Sequence, residues 1–357
     1  MYKGKLLYLI LPSSMTKLWP YFLVLLLSAC VDIYDPEIES NNPKIVVDGS
    51  ITNLPGPYVV RLTLSAPYNN EGIIDRYPPS ASMFIEDDLG NKELMESRGF
   101  GYYYSRNDFQ AQVGRTYQLK FTLPNGTTYA STPEKLRPSL PIDTVFAEFD
   151  NSGGGLKGDF KIYINATDPE GEENYYRWNY THYNLESYCL LETNQEAGAI
   201  FRYACCESCW SIKRCIGCII LGTDLLTDGG VMNKIQLGTM PYDSRADYFV
   251  LAEQQSISKD AYLFWKTISE QTSNSGGIFD KPPVTVPGNV FSSDPEEQVL
   301  GFFGATAITY RSAYLPRNYL SFPPTPFTPR FPYSDVRGVC VPCEEGAYRT
   351  TRQPLGW

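Results

Sequence analysis

The chain holds a single histidine, His182, among 357 residues, which excludes any chemistry that needs two histidines from one chain. Basic residues number 30 against 40 acidic ones, for a formal net charge of −10. The clustered excess of Lys and Arg that phosphate binding requires is missing, so no nucleic-acid partner is expected. Past the first thirty residues, no stretch reaches the ~18 consecutive apolar residues that read as a membrane helix. There is no Gly-x-Ser-x-Gly elbow for a hydrolase nucleophile. Gly153-Gly154-Gly155 lacks the Lys-Ser/Thr that would make it a phosphate cradle. Strands do not alternate with helices, which argues against a doubly wound sheet. What is plentiful is apolar and aromatic: hydrophobic residues make up 43%, with 27 Tyr and 18 Phe. That is enough for a packed core and too much for a disordered chain.

Residues Met1–Ala29 contain no Asp or Glu and carry Lys3, Lys5 and Lys17 ahead of or beside an apolar run from Leu18 to Leu27. The run is shorter than the ~20 residues that cross a bilayer. A basic flank and a short apolar segment read as a secretory signal, starting at Met1 or Met15. It ends Leu27-Ser28-Ala29-Cys30, which resembles a bacterial lipobox, so cleavage before Cys30 and acylation of Cys30 are expected. Residues 30–43 then form an acidic tether with Asp32, Asp35, Glu37 and Glu39, similar to the export signals of surface lipoproteins. The expected location is the outer membrane, lipid-anchored and facing the cell exterior.

The rest reads as mainly β. Residues 44–137 predict an Ig-like β-sandwich: Val60, Leu62 and Leu64 alternate along one face, and Asp88-Leu89-Gly90-Asn91 and Pro124-Asn125-Gly126 are hairpin turns. In Tyr102-Tyr103-Tyr104, successive side chains must alternate, so at least one ring faces outward as a candidate glycan contact. Residues 138–357 predict a second β-rich domain, opened by Pro138–Pro141, with strands at Thr144–Phe149, Phe160–Ile164 and Tyr175–Tyr183. It carries a Cys-rich insertion over 187–220 and a C-terminal Cys340-x-x-Cys343 tail. One main helix is expected from Ser258 to Gln271, capped by Ser258, with Ala261, Phe264, Trp265 and Ile268 as its apolar stripe.

Eight cysteines remain besides Cys30: Cys189, Cys205, Cys206, Cys209, Cys215, Cys218, Cys340 and Cys343. An even count in an oxidising compartment predicts disulfides, with 105 connectivities open. Cys206, Cys209, Cys215 and Cys218 also have tetrathiolate spacing, so zinc stands as the alternative there, although no resident metal or cofactor is expected. His182, in a Tyr-rich strand, reads as structural. Adjacent acids such as Asp87-Asp88 and Glu172-Glu173 read as turn residues. Asp168-Pro169-Glu170-Gly171-Glu172-Glu173 reads as a solvated turn, with calcium as the alternative because oxygen-rich loops suit that ion. The Pro- and Phe-rich stretch around Phe322, Phe327 and Phe331 is a candidate partner contact, since interfaces favour aromatic residues over Lys and Glu.

Eight separated segments occur in a distinctive order. They are Cys30-Val31-Asp32, Val46–Thr52 (VVDGSIT), Gly56–Leu62 (GPYVVRL), Asn174–Trp178 (NYYRW), Ala261–Trp265 (AYLFW), Gly288-Asn289-Val290, Val299–Phe303 (VLGFF) and Cys340-x-x-Cys343. Together they resemble the Bacteroidota outer-membrane lipoproteins of the family called domain of unknown function forty-two forty-nine. The resemblance covers nearly all of the chain after Cys30. It implies a TonB-dependent transporter as partner, because members are often encoded beside one, and it carries over no catalytic residue. The tail departs from the usual Gly-Thr-Asn-x-Lys-Pro pattern: Gly346, Pro354 and Trp357 remain, but Arg349–Gln353 differ. The expected function is that of a non-enzymatic lipoprotein, an accessory or ligand-capture partner of such a transporter. A free-standing adhesin that binds a glycan or peptide ligand is the second expectation.

Overall fold

Alternating burial along short strands organises the chain. The computed structural model describes residues 43–66, 76–151, 158–187, 191–194, 199–202, 208–225, 228–242, 247–273, 284–321, 343 and 345–354. The N-terminal strands are β1 (Ile45–Thr52), β2 (Val59–Leu64), β3 (Ser82–Asp87), β4 (Lys92–Ser97), β5 (Tyr102–Tyr104), β6 (Thr116–Thr122), β7 (Thr128–Ser131) and β8 (Glu134–Lys135). After the Pro138–Pro141 segment come β9 (Ile142–Asp150), β10 (Asp159–Thr167) and β11 (Tyr175–Ser187). The Cys-rich stretch carries strands of its own, β12 (Leu191–Asn194), β13 (Ala199–Arg202) and β14 (Ser208–Arg214). They are followed by β15 (Ile220–Thr223), β16 (Val231–Pro241), β17 (Tyr248–Ile257), helix α1 (Lys259–Thr272), β18 (Val290–Ser292), β19 (Leu300–Leu315) and β20 (Arg349–Thr350).

The fold is mainly β, with one helix among the described residues. A large mixed sheet runs in the order β18-β7-β6-β3-β4-β5-β2-β1-β19-β17-β11-β14-β20, with β15 added on β11 and β8 on β6. Strands β16-β10-β9 form a smaller sheet, and β12 pairs with β13.

Strand β19 joins the parts. Its first half pairs parallel with β1, from Val46↔Leu300 to Thr52↔Thr306. Its second half pairs antiparallel with β17, from Ser256↔Ala307 to Tyr248↔Leu315. Because side chains alternate along a strand, β19 feeds three clusters. Phe303, Ala305 and Ala307 enter the core built on β1–β7. Leu315 enters the core around Trp178, Tyr248 and Phe160. Phe302 points the other way, into the small core under α1.

Several local expectations hold. Val60 and Leu62 are fully buried, and Leu64 packs partly buried on the same core. Turn Asp88–Asn91 closes β3–β4: the Asp87 carboxylate accepts from the N–H groups of Leu89 and Asn91, both at 2.9 Å. Leu123 donates to the Thr127 carbonyl across the Pro124–Gly126 turn of β6–β7. Ser258 caps α1, its Oγ accepting from Ala261 N at 3.1 Å. Ala261 and Phe264 are buried on the sheet side of the helix, with Trp265 and Ile268 partly buried beside them.

Candidate functional site

Of the eight cysteines read as disulfide candidates, four fall in described residues and all four are bonded. Cys209, buried on β14, is joined to Cys343 with Cα atoms 5.5 Å apart, closing a sequence separation of 134. The bond ties the tail to β14, where the tail adds β20 through Trp210↔Thr350 and Ser211↔Arg349. Cys215 is joined to Cys218 within the turn after β14. Cys209 is therefore bonded to the tail rather than gathered with Cys215 and Cys218 in the spacing that a zinc site would use. Cys30, Cys189, Cys205, Cys206, Cys340, Phe322, Phe327 and Phe331 lie outside the described residues.

The Tyr triplet alternates as a strand requires. Tyr103 is buried, while Tyr102 and Tyr104 turn outward. Register puts Arg61 opposite Tyr102 and Val59 opposite Tyr104 on one side, and Glu96 opposite Tyr104 on the other. Arg61 stacks over the Tyr102 ring at 4.9 Å, and Arg98 over Tyr104 at 4.4 Å. Tyr77 and Phe100 extend the group edge to face at 6.1 Å, with Phe100 75% exposed. This outer face of β2, β5 and β4 is an arginine–aromatic platform, a surface that suits planar or sugar-like ligands because ring faces and cation tips alternate.

A separate cleft of about 750 Å³ is lined by Asn53, Asp87, Arg106, Phe109, Gln110 and Tyr117, among others. Its cations are engaged from within. Arg106 pairs with the buried Glu93 at 3.0 Å, and Arg115 pairs with Asp87 at 2.7 Å and with Asp88. Asp87 and Asp88 thus pin the β3–β4 turn. Glu173 likewise accepts from the Tyr175 hydroxyl at 2.8 Å and pairs with Lys259 at 3.3 Å, contacts that hold its carboxyl below the usual range. His182 is buried on β11, stacked 6.2 Å from Tyr180 and edge-on 5.4 Å from Tyr248.

Two buried groups escaped the sequence reading. Asp168 opens the loop read as a solvated turn. Glu170 and Glu172 are exposed there, but Asp168 is 2% exposed. The other is Glu134 on β8, which accepts from Asn289 Nδ2 at 3.3 Å. Burial pushes the Glu134 carboxyl from 4.5 up to about 7, with the charge of Asp260 acting in the same direction. The folded state therefore holds a proton that the unfolded chain releases at lower pH. Stability is fully present below pH 4.5 and is lost as pH rises to about 7, by up to about 3 kcal/mol. Glu134→Gln should flatten this slope and make the protein more stable than wild type at pH 8. Denaturant unfolding at pH 5 and pH 8 measures it, and equal slopes in the two proteins would count against the buried proton.

Most of the distinctive sequence segments meet one another in space. Gly288 lies against the Gly301 backbone, and Gly301 against Val47. Asn289 clamps Phe303 like a strand edge, donating to its carbonyl at 2.8 Å and accepting from its N–H at 2.9 Å. Val46–Thr52 lies between Val59–Leu64 and the start of β19. In the other half, Arg177 stacks over Trp265 at 3.9 Å, and Tyr175 meets Tyr262 at 5.1 Å. Beneath them, Trp178 donates to Gln254 Oε1 at 2.9 Å. These segments are the joints of the fold: they bring β1 and β19 together in one sheet and seat the helix on it.

Such joints define a class of mainly β chains whose N-terminal strands are completed from near the C-terminus. A family model described as Domain of unknown function (DUF4249) matches residues 31–312, and the chain belongs to that family. No curated protein matches it.

Proposed function

We propose that the chain is a non-enzymatic outer-membrane lipoprotein, anchored through an acylated Cys30 and facing the cell exterior. In this reading it serves a TonB-dependent nutrient transporter as an accessory or ligand-capture partner. The observation that carries the proposal is the Leu27-Ser28-Ala29-Cys30 lipobox followed by the acidic tether. The family match starts at residue 31, one residue past Cys30, which supports removal of Met1–Ala29 as an export segment. The one histidine, packed among Tyr180 and Tyr248 rings, supports a binding role over a catalytic one. We read β1–β8, closed by β18 and the first half of β19, as the Ig-like sandwich of this scaffold.

The test is isolation of the tagged full chain from outer membranes in mild detergent. A TonB-dependent barrel should accompany it, and replacing Phe322, Phe327 and Phe331 together by Ser should weaken that association while leaving the melting temperature unchanged. A chain that runs alone, with transporter uptake unaltered by its deletion, would sink the accessory role. The second reading, a free-standing glycan-binding or adhesin lipoprotein, is favoured by the arginine–aromatic platform of Arg61, Tyr102, Tyr104 and Arg98. It would then show as glycan binding with no barrel attached.

A further inference from the structure

Two connections clasp each other at one end of the second core. The β10–β11 connection runs from Asp168 to Asn174, and the β15–β16 connection begins at Asp224 and ends at Gly230. Asp168 donates its backbone N–H to the Gly230 carbonyl at 3.0 Å, and Asp224 donates to the Asn174 carbonyl at 3.3 Å. Three carboxylates converge where the connections meet. Asp168, Asp224 and Asp228 each place an oxygen within 4.8 Å of the others.

Each carboxylate is oriented by a donor. Asp168 Oδ1 accepts from the Tyr176 hydroxyl at 2.5 Å, Asp224 Oδ2 from Asn174 N–H at 2.8 Å, and Asp228 Oδ1 from Gly171 N–H at 2.8 Å. The decisive atom is Asp168 Oδ2. It is buried, belongs to a residue only 2% exposed, and has no hydrogen-bond partner. Asp224 beside it is 1% exposed. Lys259, which reaches the Asp168–Asn174 connection, is paired there with Glu173 at 3.3 Å. Buried carboxylates gathered this closely need a positive charge or a proton between them. Burial, and then the neighbouring Asp224, raise the proton affinity of Asp168, which is the electrostatic mark of that demand.

We propose that Asp168, Asp224 and Asp228 bind a hard divalent cation, of which Ca²⁺ is the best fit, and that the ion locks the two connections together. The donor set is all oxygen with no His or Cys, which disfavours zinc and copper. Asp228 is exposed and gives the ion a route in from solvent, while Asp168 and Asp224 form the floor. Ca²⁺ also tolerates the irregular geometry of two loops better than Mg²⁺, which demands a near-ideal octahedron. This inference stands independently of the transporter role.

The test uses the full chain in detergent, stripped with EDTA and titrated with CaCl₂ by calorimetry and thermal melting. One Ca²⁺ per chain should bind. At hundredfold excess over Kd the melting temperature should rise by about 3–5 °C. Asp228→Asn keeps the acceptor for Gly171 and sits at the surface, so the metal-free variant should melt like wild type. Its Ca²⁺ affinity should nevertheless fall by about tenfold or more. The proposal is overturned if no saturable binding appears up to about 10 mM, above the weakest range of extracellular calcium modules. It is overturned equally if Asp228→Asn binds as wild type does. A metal-free Glu134→Gln protein, freed of the Glu134 titration, that still gains stability on acidification and gives no response to Ca²⁺ would show that a shared proton alone occupies the cluster and would overturn the cation site.

Discussion

A Cys30→Ser variant is expected to leave the outer-membrane fraction almost completely. Acyl chains on Cys30 would supply about 0.8 kcal/mol per buried methylene, and more than one chain makes the anchoring stable where a single chain is marginal. No helix among the described residues is long and apolar enough to cross a membrane. Serine keeps the shape of the residue but offers no thiol for the thioether. Fractionation followed by detection of the tagged protein reads the result. The variant should appear as uncleaved precursor or as soluble protein, and recovery in the outer membrane at the wild-type level would refute the anchor.

The second large effect is on folding. Gly301 has φ = 89°, a conformation that side-chain-bearing residues rarely adopt, and a Cβ there would overlap the carbonyl oxygen of Val47, its partner across the β1–β19 pairing. Gly301→Ala must therefore push β1 and β19 apart. Positive φ alone costs about 1 kcal/mol, and separating the strands also opens the core at Val47 and Phe303. A loss above about 4 kcal/mol is expected, seen as a melting temperature lowered by at least roughly 8 °C or as failure to fold. Gly304→Ala, three residues on in the same strand, is the control. The nearest atoms to its Cβ are 3.9 Å away, so it should change stability by less than about 1 kcal/mol. Equal behaviour of the two variants would show that the close approach at Gly301 is not what holds β1 to β19.

What the sequence reveals follows the range of the interactions. Alternation at Val60 and Leu62, the Ser258 cap and the two hairpin turns are set within a few residues, so they are readable directly. Strands β17 and β19 are not. β17 is buried on both faces at its two ends and places the polar Gln254 and Ser256 inside, which hides its period. β19 mixes Gly301, Gly304 and Thr306 into 16 residues, and it pairs with β1 across most of the chain, a contact with no local trace. The acid cluster is hidden for the same reason. Asp168 is visible as one acid among four, but its companions Asp224 and Asp228 lie more than fifty residues away and meet it through the β-strand register. Asn289 could have been found, because it stands in one of the distinctive segments. Its role as a clamp on Phe303 needed the structure.

Every functional proposal except the cation site requires that the mature chain begin at an acylated Cys30. Mass spectrometry of the N-terminal peptide, from protein purified out of the native outer membrane, tests this most directly. The predicted result is a peptide that starts at Cys30, carries added acyl mass on that residue, and continues Val31-Asp32-Ile33. A mature N-terminus elsewhere, or an unmodified Cys30 thiol in membrane-recovered protein, would contradict it.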